Sequence, residues 1–394
     1  MDTELLIVTS IWKVNIMKRL YFLSLVVVLI LILSLVACSS IEGTQSTGDG
    51  SSSATQQEES NVNNDNIVAD KDTQVEENSQ NNEREIAEQK NSEDELNEEN
   101  IPKYRAPLTG LPVEQEVDGR IIGIMINNHY KARPQSGLNK ADMVYEILAE
   151  GMITRFVAIY HSQQPDVIGP VRSIRPYYLD IINGFDALIV HAGASNAAFA
   201  ILQQNQLPDI DEITNSGGAF WRATFRKAPH NVYTNIEKIK DIAKRRGFRL
   251  KGYIPTIPFL GEDEKVEGIE AKEIKIEYYS KYVIDYKYDE ETKLYNRYVN
   301  GAPHKDLETD EQLTARNILV IRTDHKIIDD VGRREIDVNG PGKGYLFQNG
   351  IVKEITWQRK DGIIRAYIDG KEQGLYPGQT WIIVVQNQTP VFYQ

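Results

Sequence analysis

A chain of 394 residues with one cysteine and 41% hydrophobic content has no disulfide framework and no Cys-x-x-Cys site, yet carries enough apolar material to bury a core without covalent staples. The formal net charge of −13 is unevenly placed: residues 41–100 hold 17 acidic and 3 basic residues, whereas residues 101–394 are neutral as a group. Neither part has the basic stripe that nucleic-acid binding requires, so no nucleic-acid partner is expected.

Met17-Lys18-Arg19 leads an apolar run, Leu20 to Val36, interrupted by Ser24 and Ser34, and Leu35-Val36-Ala37-Cys38 closes it with a small residue before the cysteine. A positive start, an apolar stretch and a small-residue cleavage site make a signal peptide, and a cysteine at the cut makes residues 1–38 a lipoprotein signal with Cys38 as the lipidated residue. Translation is expected to begin at Met17, because residues 1–16 carry Asp2 and Glu4 and sit awkwardly upstream. The competing reading, a retained membrane helix, needs about 20 apolar residues, and this run falls just short. Lipidation consumes the thiol, which excludes cysteine catalysis, and two acyl chains anchor stably where one would be marginal.

Residues 39–103 are Ser, Asn, Gln, Gly, Glu and Asp with few aromatic or branched apolar side chains. Such a stretch is expected to be a disordered acidic tether. Like charges extend it and repel an anionic membrane surface, so it serves as a spacer or as a plain solubilising linker.

Residues 104–250 are expected to form a mixed α/β domain. Arg120 to Asn127 is an isoleucine-rich buried strand. Val144 to Glu150 and Ile153 to Tyr160 alternate around Gly151-Met152, which predicts a two-residue hairpin pairing Leu148 with Arg155 and setting Glu146, Leu148 and Glu150 on one face with Arg155. Ser173 to Asn183 reads as a helix, Ala187 to His191 as a strand and Asn196 to Gln204 as a second helix. Thr234-Asn235-Ile236-Glu237 fits a capping box, and Arg246-Gly247 ends the helix it opens.

Residues 251–270, punctuated by Pro255 and Pro258, are a connection. In residues 271–394 the period becomes two, with runs at Ile274 to Tyr278, Tyr282 to Tyr286, Leu294 to Val299, Ile318 to Arg322, Tyr345 to Gln348, Ile363 to Ile368 and Trp381 to Gln386. Gly350, Asp369-Gly370 and Pro377-Gly378 separate the later runs. This predicts a mostly antiparallel β domain of seven or eight strands. The fold class expected is a two-domain α+β/α/β chain, an α/β part followed by a β part.

Several segments are specific in combination: Pro107-Leu108-Thr109-Gly110, Ala132-Arg133-Pro134-Gln135-Ser136-Gly137-Leu138, Ala141-Asp142, Ile153-Thr154-Arg155-Phe156, Gly169-Pro170-Val171-Arg172-Ser173 and Lys227-Ala228-Pro229-His230-Asn231. Gly344-Tyr345-Leu346-Phe347 and Leu375-Tyr376-Pro377-Gly378-Gln379-Thr380-Trp381 join them. In these the chain resembles the YerB-like family of bacterial lipoproteins over residues 17–30 and 105–390. Met152 departs from the second glycine expected there. The resemblance implies a Gram-positive, lipid-anchored (palmitate-type) protein on the outer face of the cytoplasmic membrane, with two domains of unknown function and no catalytic residues to carry over.

Arg133, Arg155, Arg172 and Arg175 are the main concentration of ligand-binding candidates. Arg172 and Arg175 flank Ser173 at a loop-to-helix transition that already favours an anion, and guanidinium forks match phosphate or carboxylate. The plainer reading pairs Arg155 with Glu146 and Glu150 and lets Arg172 and Arg175 hold loop carbonyls. Trp221 and His230 are further binding candidates, although tryptophans, including Trp357 and Trp381, are explained more simply by packing.

A catalytic alternative uses His191 or His230 as base with Asp142, Glu146 or Glu150 as acids. Ser195 reads as a helix N-cap rather than a nucleophile, since Ala192 to Ser195 lacks a Gly-x-Ser-x-Gly elbow. No metal and no cofactor are expected. The function expected is binding of an anionic cell-wall glycan or peptide, or of an envelope protein. Hydrolysis or transfer on a wall polymer is the alternative.

Overall fold

The computed structural model describes residues 103–394. The signal segment, Cys38 and the acidic tether lie outside the described residues. The first half contributes strands β1 (Ile122–Asn127), β2 (Met143–Leu148), β3 (Thr154–Tyr160), β4 (Leu188–His191) and β5 (Asp209–Asp211), with helices α1 (Pro176–Gly184), α2 (Asn196–Gln204) and α3 (Ile236–Arg245). The second half contributes β6 (Glu273–Tyr279), β7 (Tyr282–Asp289), β8 (Leu294–Val299), β9 (Asn317–Thr323), β10 (Gly342–Gln348), β11 (Ile351–Lys360), β12 (Ile363–Ile368), β13 (Thr380–Gln386) and β14 (Val391–Tyr393).

These strands do not sort by half. One twelve-stranded sheet runs β12-β11-β10-β9-β13-β2-β3-β1-β4-β5, with short edge partners at Lys371–Glu372 and Ile269–Glu270. The joint is β13, which pairs in parallel with β9 on one side and with β2 on the other. Parallel strands buried on both faces carry near-continuous apolar sequence, and Trp381-Ile382-Ile383-Val384-Val385 is such a run, fully buried. A six-stranded sheet built on β8-β7-β6-β14 covers one face, where Ile274, Ile284, Tyr286 and Tyr295 join Val144, Phe156 and Ile383 in a single core. On the opposite face Tyr178, Ile182 and Leu202 from α1 and α2 pack with Met125, Tyr145, Val157 and Ile382.

The molecule is therefore mostly β, in several sheets, with three α-helices among the described residues, all in the first half. The second half is mostly antiparallel, and the exception among its strand pairs is β9 with β13. The strand β11 is an addition to the sequence reading. It is entered through Asn349-Gly350 at φ 53° and 74°, the left-handed pair that two-residue hairpins favour.

Three local expectations are corrected. The β2–β3 loop holds Glu150-Gly151-Met152, with Gly151 at φ 57°, so Ile147 faces Arg155 and Leu148 faces Thr154. A one-residue shift turns every side chain over, and Glu146 thus lies on the face opposite Arg155. Helix α1 begins at Pro176 rather than Ser173, because Val171 and Ile174 are held extended by bridges to Ile126 and Ala194, and proline suits the first helical position. Helix α3 is capped one residue later than expected: Asn235 accepts from the Lys238 N–H at 2.8 Å, while Thr234 donates to the Ala219 carbonyl. The cap of α2 is Ser195, whose Oγ accepts from Ala198 N at 3.2 Å.

Candidate anion-binding site

Strands β1 and β4 are parallel neighbours, and the crevice beyond the carboxyl ends of such strands is a common ligand position. Here Arg172 lies across it. Its N–H donates to Met125 O on β1 at 2.9 Å, and its carbonyl accepts from Ala192 N, just after β4, at 3.1 Å. The loop after β1 carries Asn127, Asn128, His129 and Arg133 into the same region. A second loop, closed by the pairing of Phe220–Arg222 with Val232–Thr234, brings His230 and Arg226, and Arg226 ties the two loops by donating to the carbonyls of Ala132 and Pro134.

The four arginines of the sequence reading separate into different roles. Arg155 and Arg175 both grip Glu150, Arg155 at 2.5 Å. Burial works against that carboxylate, but Arg155 and Arg175 outweigh it and hold its pKa below the usual range. Arg155 also donates to Ser173 O at 2.8 Å and Arg175 to Ile174 O at 2.6 Å. Arg133 donates to Asn128 Oδ1 at 2.9 Å and stacks on the Tyr282 ring at 4.8 Å. Arg172 is the exception: half-buried, its guanidinium has no acceptor among the described residues. Burial, and then the charge of Arg155, lower its pKa.

Next to it stand two imidazoles that stack nearly parallel, His129 on His230 at 4.6 Å and 16°. His230 was legible as a candidate; His129 was not, although polar residues directly after an apolar strand are the signal that marks it. Both pKa values are lowered, His129 by burial, Lys131, Arg133 and Arg172, and His230 by burial, His129, Arg172, Lys131 and Arg226. Trp221 sits half-exposed at the base of the second loop, stacked on Tyr233 at 6.3 Å. The other two tryptophans of the sequence reading, Trp357 and Trp381, are core residues with no exposed surface.

The groups of the catalytic alternative do not converge. His191 is buried at the end of β4 between Asp209 and Asp211, 3.4 Å from each. Asp142 precedes β2 and accepts from His161 N, Ser162 N and Ser162 Oγ, while Glu150 lies past the other end of that strand, whose six residues span about 20 Å.

Glu146 points between the sheets into a buried network. Its Oε2 meets Arg297 Nη2 at 2.7 Å, and its Oε1 accepts from Thr154 Oγ1 at 2.8 Å, from Asn128 Nδ2 at 3.1 Å and from Tyr282 OH. Arg297 continues through His304 Nδ1, at 3.1 Å, and His304 Nε2 to Gln135 Oε1, at 2.7 Å. Gln135 in turn donates to Asn127 O and to Asn128 Oδ1, both at 3.0 Å, so the network supports the floor of the crevice.

A mostly β body whose two sequence halves share one sheet, with a cationic crevice at the ends of β1 and β4, is the architecture of a two-part class of proteins that sequence comparison recognises in both halves. Residues 108–249 match the family model described as protein of unknown function (DUF3048) N-terminal domain, and residues 274–382 match the DUF3048 C-terminal domain. The chain is 42% identical over 287 residues to "Putative lipoprotein YerB" of Bacillus subtilis (strain 168), covering 72% of this chain and 86% of that one. A crystal structure of the YerB protein from Bacillus subtilis matches with a TM-score of 0.68 and 40% identity, covering 74% of this chain and 100% of that chain. The chain belongs to the YerB-like lipoprotein family. No helix among the described residues is long and apolar enough to cross a membrane.

Proposed function

We propose that this chain is a surface lipoprotein, attached to the outer face of the cytoplasmic membrane through Cys38, whose first half holds an anionic component of the cell envelope in the crevice at Arg172. One observation carries the reading: a half-buried guanidinium with no acceptor for its side chain among the described residues. Desolvating a charged donor without a partner is costly, and an anion from outside the chain removes that cost. Arg155 and Arg175, both held by Glu150, position the segment around Arg172.

Two measurements test the reading. Cys38→Ser should move the protein from the membrane fraction to the soluble fraction, and continued membrane retention would contradict anchoring at this residue. Purified Cys38→Ser protein, which no lipid holds, should co-sediment with isolated cell envelopes at low salt and release as salt rises, since exposed charge pairs are screened over about 8–10 Å at physiological ionic strength. Arg172→Ala should weaken that retention at least about tenfold, the lower range for a charged hydrogen bond. Equal retention by the variant would remove Arg172 from the site.

A further inference from the structure

The hydrogen bonds around the imidazole pair fix where its protons are. Asn127 Oδ1 accepts from the His129 N–H at 3.0 Å, so the amide nitrogen of Asn127 is the end that faces His230 Nδ1 at 2.9 Å. An amide N–H₂ is a donor, so His230 Nδ1 accepts and its single proton sits on Nε2. His129 Nδ1 likewise accepts from the Lys131 N–H at 3.2 Å, leaving its proton on Nε2. Neither Nε2–H has an acceptor among the described residues. Protonating either ring on Nδ1 would set donor against donor, in agreement with the lowered pKa of both.

The charges facing the pair are all positive. Lys131, Arg133 and Arg172 act on His129, and Lys131, Arg172 and Arg226 act on His230. No carboxylate among the described residues forms a salt bridge with any of these four cations, although residues 101–394 are neutral as a whole. The crevice therefore presents donors without acceptors: two neutral N–H groups in near-parallel planes and a guanidinium from a third segment.

We propose that His129 Nε2–H, His230 Nε2–H and the Arg172 guanidinium seat a phosphodiester, with Asn127 as the positioning residue that keeps His230 a neutral donor. This rests on the anion-binding reading above and narrows it to one chemistry. Donors arriving from separate planes suit oxygens arranged about a tetrahedral centre better than the coplanar oxygens of a carboxylate. One formal charge on Arg172 matches the single negative charge of a diester, and the neighbouring Lys131, Arg133 and Arg226 accommodate further phosphates of a repeating chain. A membrane phospholipid headgroup and a polyol-phosphate polymer share this chemistry.

The test titrates the full chain in detergent micelles with glycerophosphoglycerol, a soluble diester, and with acetate. The diester should bind, and acetate should bind at least about tenfold more weakly. Affinity should be flat from pH 7.5 to 8.5, because a diester does not titrate there and both imidazoles, with pKa values below the usual one, are neutral. His129→Phe and His230→Phe, which keep the ring stack and remove the donors, should each weaken binding by about three- to tenfold.

Asn127→Asp offers His230 Nδ1 an acceptor, raises its pKa and adds a negative charge. Its affinity should fall at pH 8 and recover as the pH drops toward 6. Vesicles of phosphatidylglycerol and a soluble poly(glycerol phosphate) then separate the two sources of the diester. Equal binding of acetate, or full affinity in both phenylalanine variants, overturns the phosphodiester seat even if Arg172→Ala still releases the protein from envelopes. Loss of that Arg172 dependence instead overturns the broader reading.

Discussion

Arg297→Met should destabilise the body by about 3–5 kcal/mol, the cost of leaving one member of a buried ion pair uncompensated. Arg297 and Glu146 are both fully buried and 2.7 Å apart, so bulk solvent does not reach the charge left when one is removed. The guanidinium also lies 4.7 Å from the Trp381 ring and 5.2 Å from Tyr286, so its loss strips stacking as well as charge. Thermal unfolding should shift down by on the order of 10 °C. The double variant Glu146→Leu/Arg297→Met should recover much of the loss, since an apolar pair of similar volume often replaces a buried ion pair at little cost. A single variant within about 0.5 kcal/mol of wild type in denaturant melts would show that the pair is not the pin between the sheets.

A chain ended at Gly378 should fail to fold in either half. Removing β13 takes away five fully buried apolar side chains, Trp381 to Val385, at about 1.5–3 kcal/mol each, a loss of the same size as the usual total stability of about 5–15 kcal/mol. It also opens the facing edges of β2 and β9, leaving unpaired backbone groups inside a covered sheet. Circular dichroism and amide exchange should show protection lost in β2 as well as in β9. Native protection persisting across β1 to β4 would mean that the first half folds without its partner.

Much of the local structure was legible. The sequence runs for β6, β7 and β8 alternate in burial as their period of two requires, and Asn196–Gln204 is helical with Ser195 as its cap. What stayed hidden depends on distance or on a single residue. The parallel partnership of β13 with β2 joins two apolar runs that carry no mark of each other, because parallel pairing has no connecting turn to read. The β2–β3 register turned on whether two or three residues formed the loop, and that one residue moved Glu146 away from Arg155 and toward Arg297. At the crevice, Arg172 and His230 could be singled out as residue types. That Glu150 would engage both Arg155 and Arg175 while leaving Arg172 without an acceptor required the geometry, as did the role of Asn127.

The position of β13 also sets an order of events in time. Met143 must wait for Thr380, about 240 residues further along the chain, and contacts of such separation are what slow a folding reaction. Until β13 arrives, β2 and β9 remain open templates that another chain could pair with. A strand synthesised after both of its partners thus locks the molecule, and the two halves of the sheet close together only once it has emerged.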